Sequence, residues 1–162
     1  MRTITDLDDL LESTTLTSIL DTLLPTTLPL WGRMSAQHML EHLAGTLQYC
    51  NGKKTASLVT PPDKLPAMQR FLHSNRGFQR GFISPIVGDI LPDLVTPNIT
   101  SARTWFDTEW SDFLTFSADQ TILVMHPIFG ELNRRDLLRF TAKHFRHHFQ
   151  QFQLIAPDTD IA

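Results

Sequence analysis

A single cysteine, Cys50, stands in the whole chain. That excludes an intramolecular disulfide and makes a reducing cytoplasm the expected compartment. Cys50 shares a helix face with Leu43 and Leu47, so it reads as a packing residue and not as a nucleophile. Glutamate is also scarce: Glu12, Glu41, Glu109 and Glu131 are all there are. None is followed three residues later by histidine, so the Glu-x-x-His pattern of di-iron bundles is missing. No uncharged apolar run approaches the ~20 residues that span a bilayer, and no membrane partner is expected. The first residues, Met1-Arg2-Thr3 followed by Asp6, Asp8, Asp9 and Glu12, lack the basic-then-apolar order of a secretory signal. Neither G-x-G-x-x-G nor G-x-x-x-x-G-K-[ST] occurs, which leaves a nucleotide-phosphate cradle unsupported. There is no G-x-S-x-G hydrolase elbow either. The formal charge of −3 argues against a polyanion partner. The basic residues of the last helix (Arg134, Arg135, Arg139, Lys143, Arg146) therefore read as a solvated face and not as a nucleic-acid surface.

What is present is a chain of 162 residues with 41% apolar content, enough for one domain, 1–162, with a sizeable core. Leucines and an isoleucine at helical spacing predict a first helix over about 6–24, ending before Pro25, with Ser and Thr weakening its middle. Two prolines and Trp31-Gly32 predict an extended link over 25–33. Ser35 is placed to cap a second helix, which runs to the stop signal Asn51-Gly52. Its dry stripe is Ala36, Met39, Leu43, Leu47 and Cys50, and Gln37, Glu41 and Gln48 mark its wet side. From Lys53 to Thr100 the chain reads as a long connection broken by Pro61, Pro62, Pro66, Pro85, Pro92, Pro97, Gly77, Gly81 and Gly88, with a short helix over 65–78. A third helix over 101–116 carries an aromatic face that includes Trp105, Phe106, Trp110 and Phe113. Thr121 to Met125 reads as a short strand or an extended turn, and Asn133 as the N-cap of the last helix.

That last helix organises the chain. At about 100° per residue, Leu137, Leu138, Thr141, Phe145, His148, Phe149, Phe152 and Ile155 share an arc of roughly 120°. Arg139, Lys143, Arg146 and Gln150 lie opposite. His148 falls inside the dry arc, His144 borders it, and His147 points to the flank. Imidazoles at i and i+4 have Cβ atoms ~5–6 Å apart on one face, which suits two ligands of one metal ion. The second helix repeats the spacing with His38 and His42, of which His42 lies nearer the dry stripe and His38 on the flank. The same pattern also describes histidines that serve only as hydrogen-bonded core groups, in a non-enzymatic bundle that binds a small molecule or a protein. His73 has no partner at ligand spacing and reads as surface or structural.

Three passages carry a resemblance. They are Leu30-Trp31-Gly32-Arg33-Met34-Ser35-Ala36-Gln37-His38-Met39-Leu40-Glu41-His42-Leu43, His126-Pro127-Ile128-Phe129-Gly130, and Lys143-His144-Phe145-Arg146-His147-His148-Phe149-Gln150-Gln151-Phe152. Together they resemble the DinB/YfiT-like superfamily, and an uncharacterised branch of it most. The resemblance implies an all-α four-helix bundle in up-down-down-up order with a long crossover between helices 2 and 3. It also implies three histidine ligands, mapping onto His42, His144 and His148, bundles that often dimerise, and relatives that are metal-dependent thiol transferases. The helical wheels favour the same three histidines. Three neutral imidazoles suit zinc, nickel or ferrous iron and leave an open coordination position. The expectation is therefore a metal-dependent enzyme acting on a small molecule, by thiol transfer to an electrophile or by metal-assisted hydrolysis. His126 and Glu131, ahead of the last helix, are candidate supporting or acid–base groups, and His38 is a candidate fourth ligand.

Overall fold

A computed structural model describes residues 4, 6–82 and 90–157. Pro85 and Gly88 of the long connection lie outside them, as do residues 1–3 of the N-terminal reading. The described chain is mostly helical. Its elements are α1 (Ser13–Leu20), α2 (Ala36–Cys50), α3 (Leu65–His73), α4 (Ile99–Phe116), the strands β1 (Leu123–His126) and β2 (Gly130–Asn133), and α5 (Arg134–Gln151). The two strands form a small antiparallel sheet, with Leu123 opposite Asn133 and His126 opposite Gly130. That hairpin is an addition to the expected all-α architecture.

The first predicted helix is broken in two. One 3-10 turn, Asp8–Leu11, is followed by Glu12 in an extended conformation before α1 begins. The Ser13-Thr14-Thr15 run supplies the weakness, since short hydroxyl side chains compete for backbone hydrogen bonds and favour helix ends over interiors. At α2 the expected Ser35 cap is present. Its side chain accepts from the His38 N–H, and the His38 ring accepts in return from the Ser35 backbone N–H. His38 is thereby fixed at the helix start. Asn133 caps α5 by accepting from the Asp136 N–H at 3.0 Å. The far end of α5 closes with the paired bonds of a Schellman motif, Gln153 N–H to Gln150 C=O and Leu154 N–H to Phe149 C=O. Gln153 takes the left-handed conformation there, at φ 60. The turn points Leu154 and Ile155 back into the core, where both are buried.

α2 and α4 pack against each other, and α5 contacts α2, α3 and β2. Aromatic rings fill the interior, with Phe106 and Trp110 of α4 against Phe145 of α5 at 5.7 and 5.5 Å between centroids. A polar tie joins α2 to α4: the buried Glu109 accepts from Gln48, Asn51, Lys53 and the Trp105 indole. Burial alone would raise the Glu109 pKa. The hydrogen bonds, the one from Lys53 foremost, outweigh it and hold the carboxyl down at about 2.

Two charged residues expected on wet faces are buried instead. Glu41 of α2 is 8% exposed, and its carboxylate accepts from the Val95 and Thr96 backbone N–H groups, the Thr96 hydroxyl and Gln37. Lys143 of α5 is 5% exposed and donates to the carbonyls of Phe71, Ser74 and Arg76. The reason is shared. The connection between α2 and α4 is folded back over both helices, and these two side chains meet its backbone polar groups, which need partners once water is excluded. A helical wheel drawn on one segment cannot register a loop that returns from fifty residues away.

Glu41→Ala removes one acceptor from four donors, two of them backbone N–H groups. A loss of about 2–3 kcal/mol of stability is expected, measured by urea denaturation. A loss under about 0.5 kcal/mol would mean that the segment at Val95–Thr96 is held by something else.

Candidate metal centre

Three imidazoles meet between α2 and α5. His144 Nε2 lies 3.0 Å from His42 Nε2 and 3.1 Å from His148 Nε2. The candidate ligand atoms of the three residues all fall within 4.8 Å of one another. His144 and His148 share one face of α5 through the i, i+4 spacing, and α2 delivers His42 from across the interface. A four-coordinate ion with bonds of ~2.0–2.1 Å separates its ligand nitrogens by ~3.3 Å, close to the two Nε2 separations at His144, while His42 and His148 lie within 4.8 Å of each other.

The tautomer of His148 is fixed by its neighbours. The Trp31 carbonyl accepts from Gln151 Nε2 at 2.8 Å, which orients the amide with its oxygen toward His148. Gln151 Oε1 then accepts from His148 Nδ1 at 2.8 Å. With the proton on Nδ1, a neutral His148 turns the bare lone pair of Nε2 toward the cluster. The approach of Gln151 to the link depends on Gly32, which has φ +81 and whose Cβ, were one present, would lie 2.9 Å from Gln151 Nε2. The Leu30 N–H adds a bond of 2.7 Å to the Gln151 backbone carbonyl. Gln151 and the Trp31-Gly32 turn support the cluster in a way the sequence expectations do not include. The available signal was the i, i+3 spacing of Gln151 from His148, which puts both on one helix face.

Burial holds all three rings in the neutral form, the form in which imidazole binds metal. It lowers His42 to about 4, with His147 adding to the shift. His144 and His148 are pushed well below the ordinary value, by burial first and by the neighbouring histidines second. Apolar rings complete the surroundings: Phe140 stacks on His144 at 5.5 Å and Phe78 meets it edge-on at 6.3 Å.

Hydrogen bonding alone serves this cluster poorly. His144 Nε2 carries at most one proton, yet it faces two nitrogens at hydrogen-bond distance, and the one on His148 is a bare acceptor. Either a lone pair opposes a lone pair, or a single proton is shared along two bent lines. A cation at the centre would satisfy all three nitrogens at once.

The other sequence candidates lie elsewhere. His38 is committed to the α2 cap and is not part of the cluster. His126 is buried in the hairpin, where its Nδ1 accepts from the Ile128 and Phe129 N–H groups at 3.1 and 3.3 Å. It closes the turn, stands against Phe140 at 4.3 Å, and is lowered to about 4 by burial. Glu131 is exposed on β2 and lines a hollow with His73 and Asp136 that includes none of the three clustered histidines. His73 itself pairs with Asp136 at 3.3 Å, a surface role. His147 flanks the cluster, with its ring 5.0 Å from His148 and 5.5 Å from Trp31. Cys50 is buried, and that burial pushes its thiol up to about 12, which suits the packing role.

A family model described as "Protein of unknown function (DUF1569)" matches residues 20–154, a span that includes the three clustered histidines, Trp31-Gly32 and Gln151. No curated protein and no solved structure matches the chain.

The depressed histidines fix a pH dependence. His42 and His126 are neutral in the folded chain down to about pH 4, whereas in the unfolded chain they take up protons below about 6.5. The unfolded state thus gains protons that the native state refuses, so this stability is complete above pH 6.5 and is lost as pH falls toward 4. Each group contributes a slope of ~1.4 kcal/mol per pH unit in that window. Urea midpoints of chelator-treated protein should fall steadily between pH 6.5 and 4.5, and a flat profile would contradict the neutral, buried assignment.

Proposed function

The chain belongs to the DUF1569 family of proteins of unknown function, and from its cluster of imidazoles we propose a metal-dependent enzyme in which His42, His144 and His148 hold a first-row divalent ion, zinc, nickel or iron(II). The observation that carries the reading is the pair of Nε2 contacts at 3.0 and 3.1 Å, too many lone pairs for the protons available. The donor set fits such an ion because it is neutral, made of nitrogen, and oriented by Gln151. Among the described residues no carboxylate belongs to the cluster, which disfavours calcium and magnesium.

His42, His144 and His148 would hold the ion, which when bound would supply Lewis acidity and lower the pKa of a thiol or a water molecule at a remaining position. The chain's own residues prepare that position. Gln151 and the Trp31 carbonyl hold the His148 ring at a fixed tautomer. Phe78 and Phe140 keep water from the flank of His144. Cys50, buried and with its thiol pushed up to about 12, does not serve as the nucleophile, so a reacting thiol comes from the substrate. The reaction class is thiol transfer to a small electrophile, or hydrolysis if the open position takes water.

The same reading places the chain with the DinB/YfiT-like proteins. In that assignment α1, α2, α4 and α5 are the four helices of an up-down-down-up bundle, and the crossover from Cys50 to Ile99 carries α3. The contact of α2 with α4 and the delivery of ligands from α2 and α5 support it.

Untagged protein purified without chelator should contain about one transition-metal ion per chain by elemental analysis, and His148→Ala should lose it. Protein that is metal-free and takes up no zinc, nickel or iron(II) on addition would overturn the proposal. Gln151→Ala, which frees the His148 ring, should weaken metal binding by about 10–100-fold. Competition with a coloured chelator reads this, and an unchanged affinity would remove Gln151 from the orienting role.

A further inference from the structure

Beside the three histidines lies a hollow of about 390 Å³ whose walls concentrate positive charge. Arg76 and Arg80 line it from the connection, and Lys143, Arg146 and His147 from α5. No Asp or Glu is among the described residues that line it. Across the whole chain acids outnumber bases, with a formal charge of −3, so three cationic side chains, those of Arg76, Arg80 and Lys143, around one concavity run against the average. They also run against electrostatic economy, since like charges gathered at a partly enclosed surface repel.

The buried ammonium of Lys143 sharpens the case. Its three donors go to the carbonyls of Phe71, Ser74 and Arg76, which meets its hydrogen-bonding needs without supplying a negative charge. Its aliphatic and charged end also lies over the Phe71 ring at 4.6 Å. Arg80 is held with its guanidinium 4.3 Å from the centroid of the Trp31 ring, an arrangement that fixes the plane of the fork without neutralising its charge, and no Asp or Glu among the described residues lines the hollow beside it. The hollow and the cluster share walls. Phe78 and His147 line the former, and their rings meet His144 at 6.3 Å and His148 at 5.0 Å.

We propose that this hollow is an anion-binding subsite that takes a carboxylate or phosphate group carried by a small-molecule substrate, with Arg76 and Arg80 as the residues that read it. That the anion belongs to a substrate of the neighbouring centre rests on the metal-dependent reading above; binding of the anion itself does not. The forks of Arg76 and Arg80 offer paired N–H donors to two oxygens of one group, and the low-dielectric wall of Phe78 strengthens the attraction. A substrate held in this way lies next to Phe78 and His147, whose rings contact His144 and His148.

The experiment is calorimetric titration of the purified protein, as isolated and after chelator treatment, with inorganic phosphate, malonate and acetate at constant ionic strength. Saturable binding of phosphate or malonate is expected in both preparations, and the tighter of the two identifies the group. Arg76→Gln and Arg80→Gln should each weaken it by ~10–100-fold, whereas Arg135→Gln, on the exposed side of α5, should leave it unchanged. No saturable binding of any of the three anions, or binding that neither Arg76→Gln nor Arg80→Gln weakens, would overturn the subsite. Anion binding by a protein that never takes up metal would sink the metal reading and leave the subsite standing. Metal uptake without anion binding would do the reverse.

Discussion

The structure turns on one shortage, that of protons among three buried imidazole nitrogens. Burial keeps His42, His144 and His148 neutral, and Gln151 claims the single ring proton of His148 on the side away from the cluster. What remains is a concentration of lone pairs between two half-buried rings, His42 and His144, and the buried His148. A folded chain tolerates such an arrangement only where the surrounding packing imposes it. Here the imposing parts are the stacked rings of Phe140 and Phe78, the α2–α4 packing that sets the position of α2, and the Trp31 carbonyl that orients the Gln151 amide. The same shortage is what the proposed cation would relieve, since a positive ion would turn three poorly satisfied acceptors into three ligands.

The connection between α2 and α4 is the second determinant. A segment of this length crossing a helical body has many backbone groups to satisfy and few regular bonds with which to do so. Two charged side chains provide for it from below: Glu41 gathers N–H groups at Val95 and Thr96, and Lys143 gathers carbonyls at Phe71, Ser74 and Arg76. Each is a buried charge answered by oriented peptide dipoles and not by a counter-ion. The result is a connection pinned at two points over the end of the molecule that holds the histidines. Pinning it also brings Arg76, Phe78 and Arg80 up against α5, so the cationic hollow and the imidazole cluster adjoin each other.

Much of this was legible in the order of residues. The helical spacing of His144 and His148, the dry stripe of α2 with His42 at its border, the caps at Ser35 and Asn133, and the packing role of Cys50 all follow from local periodicity and local hydrogen bonding. The failures are equally local in origin. Helical periodicity puts Glu41 and Lys143 on wet faces, yet both are buried, because what lies opposite the core there is the connection and not water. The first helix was drawn whole because leucine spacing does not register the extended residue at Glu12. His126 was offered an acid–base role because a histidine beside a proline and a glycine carries no mark that its ring closes a hairpin turn, and His38 was kept as a ligand candidate although the chain uses it as a cap.

Sequence by itself determined which side chains could act, since a residue's position around a helix axis depends only on its neighbours within a few turns. It fixed two imidazoles on one helix and a third on another, and a chain without the carboxylates of a di-iron centre. Only the tertiary structure decided that the three rings meet, that Gln151 rather than His38 supports them, and that a basic hollow adjoins them. Those outcomes depend on contacts between residues more than one hundred positions apart, as with Gln151 and Trp31 or His42 and His144, whose geometry is set by packing and by the path of the connection, for which no local rule of spacing exists.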